Sequence, residues 1–138
     1  MDEQEMQEKV QRYQELQQQI EAMQEYQEEI EQTIEELEET EASLKELKDT
    51  EEGKEILVSV GSGAFAVAEI KDTEHAIVDL GADTFAKKEM SDAQDIIDDR
   101  KAEMEEAKEE IQQNMQDDQE ELQSLVPELQ QLQQEQGL

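Results

Sequence analysis

The chain contains no cysteine, one proline and one histidine in 138 residues, and aromatic side chains make up only 3% of it. Without cysteine, disulfide bonds and thiol chemistry are excluded. Hydrophobic residues reach only 34%, which is too little apolar volume for a conventional globular core. A chain of this length is expected to form a single domain, spanning residues 1–138.

Basic residues are also scarce, with 11 Lys and Arg against 41 Asp and Glu and a formal net charge of -30. Phosphate binding depends on clustered Lys and Arg, so nucleic acids and anionic membranes are not expected as partners. Because molar salt screens self-repulsion, we interpret the excess charge as adaptation to a very salty cytosol, that is, as halophilic. An ordinary acidic coiled coil is the alternative.

Long hydrophobic runs are missing as well. No apolar run approaches the roughly 18 residues of a membrane-spanning helix, and the chain does not open with a signal-peptide pattern. The expected location is therefore the cytosol.

What the sequence does have is two long segments in which apolar residues recur every three or four positions. The spacing predicts an N-terminal coiled-coil helix over residues 3–51. Gly53 follows this helix and is expected to end it. The apolar residues of its stripe are Met6, Val10, Tyr13, Leu16, Ile20, Met23, Tyr26, Ile30, Ile34, Leu37, Leu44 and Leu47.

A second helix is predicted over residues 91–136, with polar Asn114 and Asp118 at positions of its apolar stripe. Pro127 lacks a backbone N–H and is expected to kink or restart this helix. The two helices have similar lengths, which favours antiparallel pairing with each other. After Asp118 the stripe resumes, shifted by one residue, at Leu122, Leu125, Leu129 and Leu132.

Between the helices, residues 55–90 contain one phrase twice, at an offset of 20 residues. Val58 to Ala66 surrounds Gly61-Ser62-Gly63, and Val78 to Ala86 surrounds Gly81-Ala82-Asp83. Short apolar runs on either side of a glycine turn predict two β-hairpins. No helical pattern remains to cover these strands, and open strand edges need a partner, so we expect this segment to mediate oligomerisation.

No residue constellation predicts an enzyme, a cofactor or a metal site. His75 has no nucleophile or metal ligand near it in sequence and is interpreted as a solvated loop residue. Carboxylate pairs such as Asp98-Asp99 are interpreted as solvated surface, since a pair of helices offers little burial. Gly61-Ser62-Gly63 has no following Gly-Lys-Ser/Thr and is not a phosphate loop.

The order of coiled coil, two hairpins and coiled coil, with the phrase Glu55 to Phe65 and its echo Ala76 to Ala82, resembles the α-class subunits of archaeal prefoldin. β-class subunits of that family carry one hairpin. The resemblance implies an α+β fold, with a long antiparallel helical hairpin and two β-hairpins where the helices join. It also implies a hetero-hexamer of two α-class and four β-class subunits, in which hairpins build a double β-barrel body and coiled coils project.

Function and site residues are further implications of the resemblance. The family binds unfolded polypeptides at the coiled-coil tips, without ATP, and passes them to a group II chaperonin. The client-binding residues would be Met6, Val10, Tyr13, Leu125, Val126, Leu129 and Leu132. The oligomerisation residues would be Ile56, Val58, Val60, Phe65, Ile77, Val78, Leu80 and Phe85. The alternative is a structural coiled-coil tether that binds no client.

Overall fold

The computed structural model describes residues 3–135, so residues 1–2 and the end of the predicted second helix at 136 lie outside the described part. The elements follow in the order α1 (Glu3–Lys48), β1 (Glu55–Gly61), β2 (Ala64–Glu69), β3 (His75–Gly81), β4 (Thr84–Glu89) and α2 (Met90–Glu135). Two long helices therefore flank two small antiparallel hairpins, which confirms the predicted fold class. Helix α1 ends at Lys48, three residues earlier than predicted.

The chain forms two compact units. One, called the helical unit, consists of residues 3–33 and 104–135; the other, called the hairpin unit, consists of residues 34–103. Each holds a stretch of both helices, and the hairpins lie wholly in the second.

The helical unit has a narrow apolar seam closed by ion pairs. Lys9 Nζ lies 2.7 Å from Glu128 Oε2, Arg12 Nε donates to Glu121 Oε1 over 2.8 Å, and Lys108 Nζ lies 3.4 Å from Glu31 Oε1. Low-numbered residues of α1 thus meet high-numbered residues of α2, as antiparallel helices require. Each pair is partly exposed and contributes at most about 1 kcal/mol. The buried apolar residues of the unit are Leu16, Ile20, Ile30, Ile111, Leu125 and Leu132.

Two details of the helical unit differ from the sequence pattern. Tyr26, expected in the seam, is more than half exposed. Helix α2 continues through Pro127 to Glu135, so the chain does not restart there. Proline removes one helical hydrogen bond, and the kink stays a prediction. One turn earlier, the Ser124 hydroxyl donates to the Glu121 carbonyl over 2.7 Å.

In the hairpin unit, each repeat of the phrase folds into its own two-stranded antiparallel sheet. Positive φ angles at Ser62 and Gly63, and at Ala82 and Asp83, give both two-residue turns the signature of type I′, which matches the twist of paired strands. Before each turn the register shifts by one residue, leaving Val60 in the first hairpin and Leu80 in the second as bulges.

Backbone hydrogen bonds continue at the open end of both hairpins. The Gly53 N–H donates to the Ile70 carbonyl over 2.7 Å, and the Met90 N–H donates to the Glu74 carbonyl over 2.8 Å, so each ladder extends past its strands. Met90, Ala93 and Ile97, at the start of α2, are buried. These residues form the apolar centre of the hairpin unit.

Candidate functional site

The first hairpin carries an exposed apolar face. Leu57 pairs with Val67 and Ser59 pairs with Phe65 across the strands, so these side chains project from the same side of the sheet. Leu57 is 67% exposed, Phe65 58% and Val67 69%. We call Leu57, Phe65 and Val67 the first-hairpin face. Exposed apolar patches are typical of interaction surfaces, so this face is the candidate one.

The second hairpin repeats this face in a more polar form. Ile77 pairs with Lys87 and Asp79 pairs with Phe85, so each exposed apolar side chain has a charged neighbour across the strands. Its opposite side is covered: Val78 is 7% exposed, whereas the equivalent Val58 is 43% exposed. Arg100 of α2 donates to the Asp79 carbonyl beside Val78, so this hairpin is bonded to its own helix.

Most of the predicted oligomerisation residues are accessible. The exposed ones are Val58, Val60, Phe65, Ile77, Leu80 and Phe85; Ile56 is half-buried and Val78 is buried. Sequence reasoning missed Leu57 and Val67, although the period-2 alternation of strands places both on the side that carries Phe65.

Strand edges add to this surface. Among the described residues, neither two-stranded sheet has a third strand, so the outer N–H and C=O groups of each hairpin have no ladder partner. Unpaired edges beside exposed apolar side chains are templates for strand addition by another chain.

The residues predicted to bind clients lie at one end of the helical unit and differ widely in accessibility. Val10 and Val126 are each 38% exposed, and Met6, Tyr13 and Leu129 are half-buried. Leu125 and Leu132 are buried in the seam and are hidden while the helices stay paired. Beside Val10, an open groove of about 430 Å³ is lined by Glu3, Met6, Gln7, Val10, Gln11 and Gln14.

Two ion pairs join the helices at this end, Lys9 with Glu128 and Arg12 with Glu121, and the second is bidentate. Arg12 Nε and Nη2 donate to the two carboxylate oxygens of Glu121 over 2.8 and 2.9 Å. This hydrogen bonding raises the pKa of Arg12 and lowers the pKa of Glu121. The pair links the two helices, and the groove nearby is lined by Gln7, Gln11 and Gln14 together with one acidic residue, Glu3.

The single histidine takes part in a structural cluster. Asp72 accepts hydrogen bonds from the backbone N–H groups of Glu74 (2.8 Å) and His75 (3.2 Å). The Glu74 N–H is the main cause that lowers the pKa of the Asp72 carboxyl, and contacts with His75 lower it further. His75 Nδ1 lies 3.0 Å from Asp72 Oδ2, and Lys87 Nζ lies 3.6 Å from the same oxygen. The cluster holds the connector between the hairpins.

The described part of the chain contains neither a candidate metal-binding cluster nor a candidate membrane-spanning helix. Over residues 3–135, His, Cys, Asp and Glu side chains form no group that could hold a metal ion. Within the same residues, neither helix is apolar enough over a sufficient length to cross a bilayer.

Comparison with known proteins assigns this chain to a family. Residues 3–135 match the sequence model of the family described as Prefoldin subunit. The chain belongs to the prefoldin family. The prefoldin α subunit of Methanopyrus kandleri is 39% identical over 62 residues, which cover 45% of this chain and 40% of that relative.

A solved prefoldin shares the fold over most of its length. The cryo-EM structure of filamentous PFD from Methanocaldococcus jannaschii matches with a TM-score of 0.76 and 27% sequence identity. The match covers 88% of this chain and 98% of that one. The predicted resemblance to prefoldin is confirmed.

Proposed function

We propose that this chain is an ATP-independent chaperone subunit, which assembles through its hairpins and binds unfolded polypeptides at the end of its helical unit. The assembly is a hetero-hexamer of two such chains with four single-hairpin β-class subunits. It acts in the cytosol and passes its clients to a group II chaperonin. The observation that carries the proposal is the first-hairpin face, an exposed apolar surface beside unpaired strand edges.

Assembly through the hairpins is supported by the distribution of charge. Residues 51–90 hold 9 acidic and 4 basic residues, whereas residues 1–50 hold 17 and 4. Two copies of so acidic a chain repel least where the hairpins lie. Aromatic and aliphatic side chains at such a surface are the usual anchors of a protein interface.

Client binding is supported by the exposed apolar side chains beside the groove in the helical unit. Val10 and Val126 present separate apolar contacts on α1 and α2, with uncharged glutamines around the groove. Each contact is weak. Several such helix ends in one assembly would multiply modest affinities, which suits the capture of chains that share no sequence.

Native mass spectrometry tests the assembly. The chain would be measured alone and mixed with a single-hairpin prefoldin subunit, and the mixture is expected to give a two-to-four hexamer. Because a solved relative is filamentous, the other candidate is an open homo-oligomer, which would appear as a ladder of masses from the chain alone. A stable monomer that does not bind the single-hairpin subunit would contradict assembly through the hairpins.

Client binding is tested with the assembled complex by replacing Val10 and Val126 together with Ser. Both side chains are exposed, so the helices stay paired while the apolar contacts are lost. Suppression of aggregation of a protein diluted from guanidinium is expected to weaken several-fold, as light scattering would show. Replacing Gln19 and Gln123 with Ser is the matched control, since both side chains are exposed and neither lines the groove. Equal protection by all three complexes would favour a structural tether.

Adaptation to high salt is a separate part of the proposal. Rising salt weakens the interhelical ion pairs Lys9–Glu128 and Arg12–Glu121, which lowers the stability of the fold. It also weakens the repulsion among the surplus acidic residues, which raises the stability. The acids outnumber the bases almost four to one, so relief of repulsion dominates. The melting temperature is expected to rise from low to molar KCl. A melting temperature that falls or stays constant would contradict the proposed adaptation to high salt.

A further inference from the structure

Of the two polar residues expected on the apolar stripe of α2, Asn114 is exposed and only Asp118 interrupts the seam. Ile111, Leu125 and Leu132 are buried and follow one another at multiples of seven residues, which is one heptad row of α2. Asp118 occupies the remaining position of that row. It is half-buried, and its Oδ2 atom is buried without a hydrogen-bond donor among the described residues.

No cation is positioned to neutralise this carboxylate. The pairs Arg12–Glu121 and Glu31–Lys108 place Asp118 opposite the stretch of α1 between Arg12 and Glu31. That stretch has no Lys or Arg, and α2 has none after Lys108. Arg12 is itself engaged by Glu121 through two hydrogen bonds. A buried acceptor atom that lacks a partner destabilises the packed state, which makes Asp118 the candidate weak point of the seam.

Beyond this interruption the seam hides apolar surface. In residues 3–17 and 119–135, here called the terminal segment, Leu16, Leu125 and Leu132 are buried. The segment is closed by the ion pairs of Lys9 with Glu128 and Arg12 with Glu121, which are partly exposed and individually weak. Two of the leucines predicted to bind clients are thus covered by the molecule's own α1.

We propose that Asp118 keeps the terminal segment able to open, and that an apolar client segment displaces α1 to bind Leu125 and Leu132. The closed seam is an autoinhibitory contact, and Val10 and Val126 are the contacts that a client meets first. Opening stops at Asp118, because Ile111 and Ile30 remain buried on its other side. This inference rests on the proposed client binding and names how that site is regulated.

The test replaces Asp118 with Leu, which completes the heptad row, in the assembled complex. Amide hydrogen exchange within residues 119–135 is expected to slow by about tenfold, since an apolar side chain removes the buried unpaired acceptor. Exchange within residues 93–107 should not change. Suppression of aggregation is expected to weaken at least several-fold, because the leucines stay covered. The client is an acidic protein diluted from guanidinium, so that attraction to the acidic helices does not contribute.

Asp117→Leu is the matched control, since Asp117 is exposed on the same turn and gains the same helix propensity. It should change neither exchange nor protection. Asp118→Asn keeps the size and polarity of the side chain but removes its charge. Its exchange rate and its protection of clients should lie between those of the wild type and Asp118→Leu. This variant replaces Asp118→Leu in the test if the leucine variant does not assemble.

The outcomes separate this inference from the proposed function. Slower exchange with unchanged protection would mean that clients do not use the buried leucines and would overturn the inference. Unchanged exchange in Asp118→Leu would also overturn it, because Asp118 would then not be the weak point. A wild-type complex that protects no client refutes the proposed function and, with it, the role of the leucines. The variants with Ser at Val10 and Val126 report independently on the exposed contacts.

Discussion

The two β-hairpins share one sequence phrase, the same turn geometry and the same bulge, yet they have different surroundings. In the first hairpin both faces are accessible, with Val58 on one side and Phe65 on the other. In the second hairpin one face is covered at Val78, and Lys87 stands where the first has Val67. The first hairpin therefore exposes both of its faces, whereas the second is partly covered by its own chain. The two copies of the phrase thus differ in which faces remain accessible.

The comparison predicts that the first hairpin dominates assembly. Replacing Phe65 with Ser and Val67 with Lys removes an aromatic anchor and introduces the residue of the second hairpin. We expect association to weaken by about 30-fold or more, since an interface anchor contributes about 2 kcal/mol or more. Size-exclusion chromatography with light scattering across a dilution series measures this.

Phe85→Ser is the counterpart in the second hairpin. Its neighbours Lys87 and Asp79 already make that face polar, so about a tenfold loss is expected. If Phe85→Ser disrupts assembly as strongly as the change in the first hairpin, the two faces are equivalent partners and the comparison fails.

Folding stability should show the reverse order. Val78→Ala removes buried methyl groups and is expected to lower the free energy of unfolding by about 1–2 kcal/mol. Val58→Ala, at the equivalent exposed position, should cost no more than about 0.5 kcal/mol. Urea denaturation at a concentration too low for assembly gives both values. Equal losses would show that the second hairpin is not held against its helix.

The turns allow a smaller test with opposite signs. Gly63 has φ +80° with nothing within 4 Å of an added Cβ, so Gly63→Ala carries only backbone strain and should destabilise by about 1 kcal/mol. Asp83 has φ +59°, and Asp83→Gly relieves that strain and should stabilise by about 0.5 kcal/mol. Thermal melts of the two variants measure this, and shifts of the same sign would contradict it.

The smallest effect concerns pH and the connector between the hairpins. The pKa of Asp72 is lowered in the folded chain, so its carboxylate stabilises the fold above its unfolded pKa of 3.8, and that contribution is lost as the pH falls through the lower folded value. Asp72→Asn should be less stable than the wild type at pH 7, with the difference vanishing in strong acid. Urea midpoints from pH 7 to pH 2 report it. A difference that persists at pH 2 would show that the carboxylate charge is not responsible.

The sequence was informative about element order because each element has its own period. Spacings of three and four predicted α1 and α2, and the alternation around Gly61 and Gly81 predicted both hairpins and their turns. These signals are local, and hydrogen bonding within each element enforces them.

The accessibility of single side chains could not be predicted in the same way. Tyr26 was expected in the seam and is exposed, and Val78 was treated like Val58 but is buried. Leu125 and Leu132 lie on the seam, not on a free surface. Each depends on which residue of the facing element comes level with it. That register is set by distant contacts, such as Arg12 with Glu121 and Arg100 with the Asp79 carbonyl.

The junction between β4 and α2 has a mechanical consequence. Glu89 ends the strand and Met90 begins the helix, and the Met90 N–H still donates to the Glu74 carbonyl. No linker residue separates the strand from the helix, so a rotation of α2 about its axis would act directly on the second hairpin. On the other side, residues 49–54 separate α1 from β1, and within them the Gly53 N–H is bonded to the Ile70 carbonyl. A rotation of α2 would thus reach the second hairpin through a single peptide bond, whereas a rotation of α1 would reach the first hairpin only through six intervening residues.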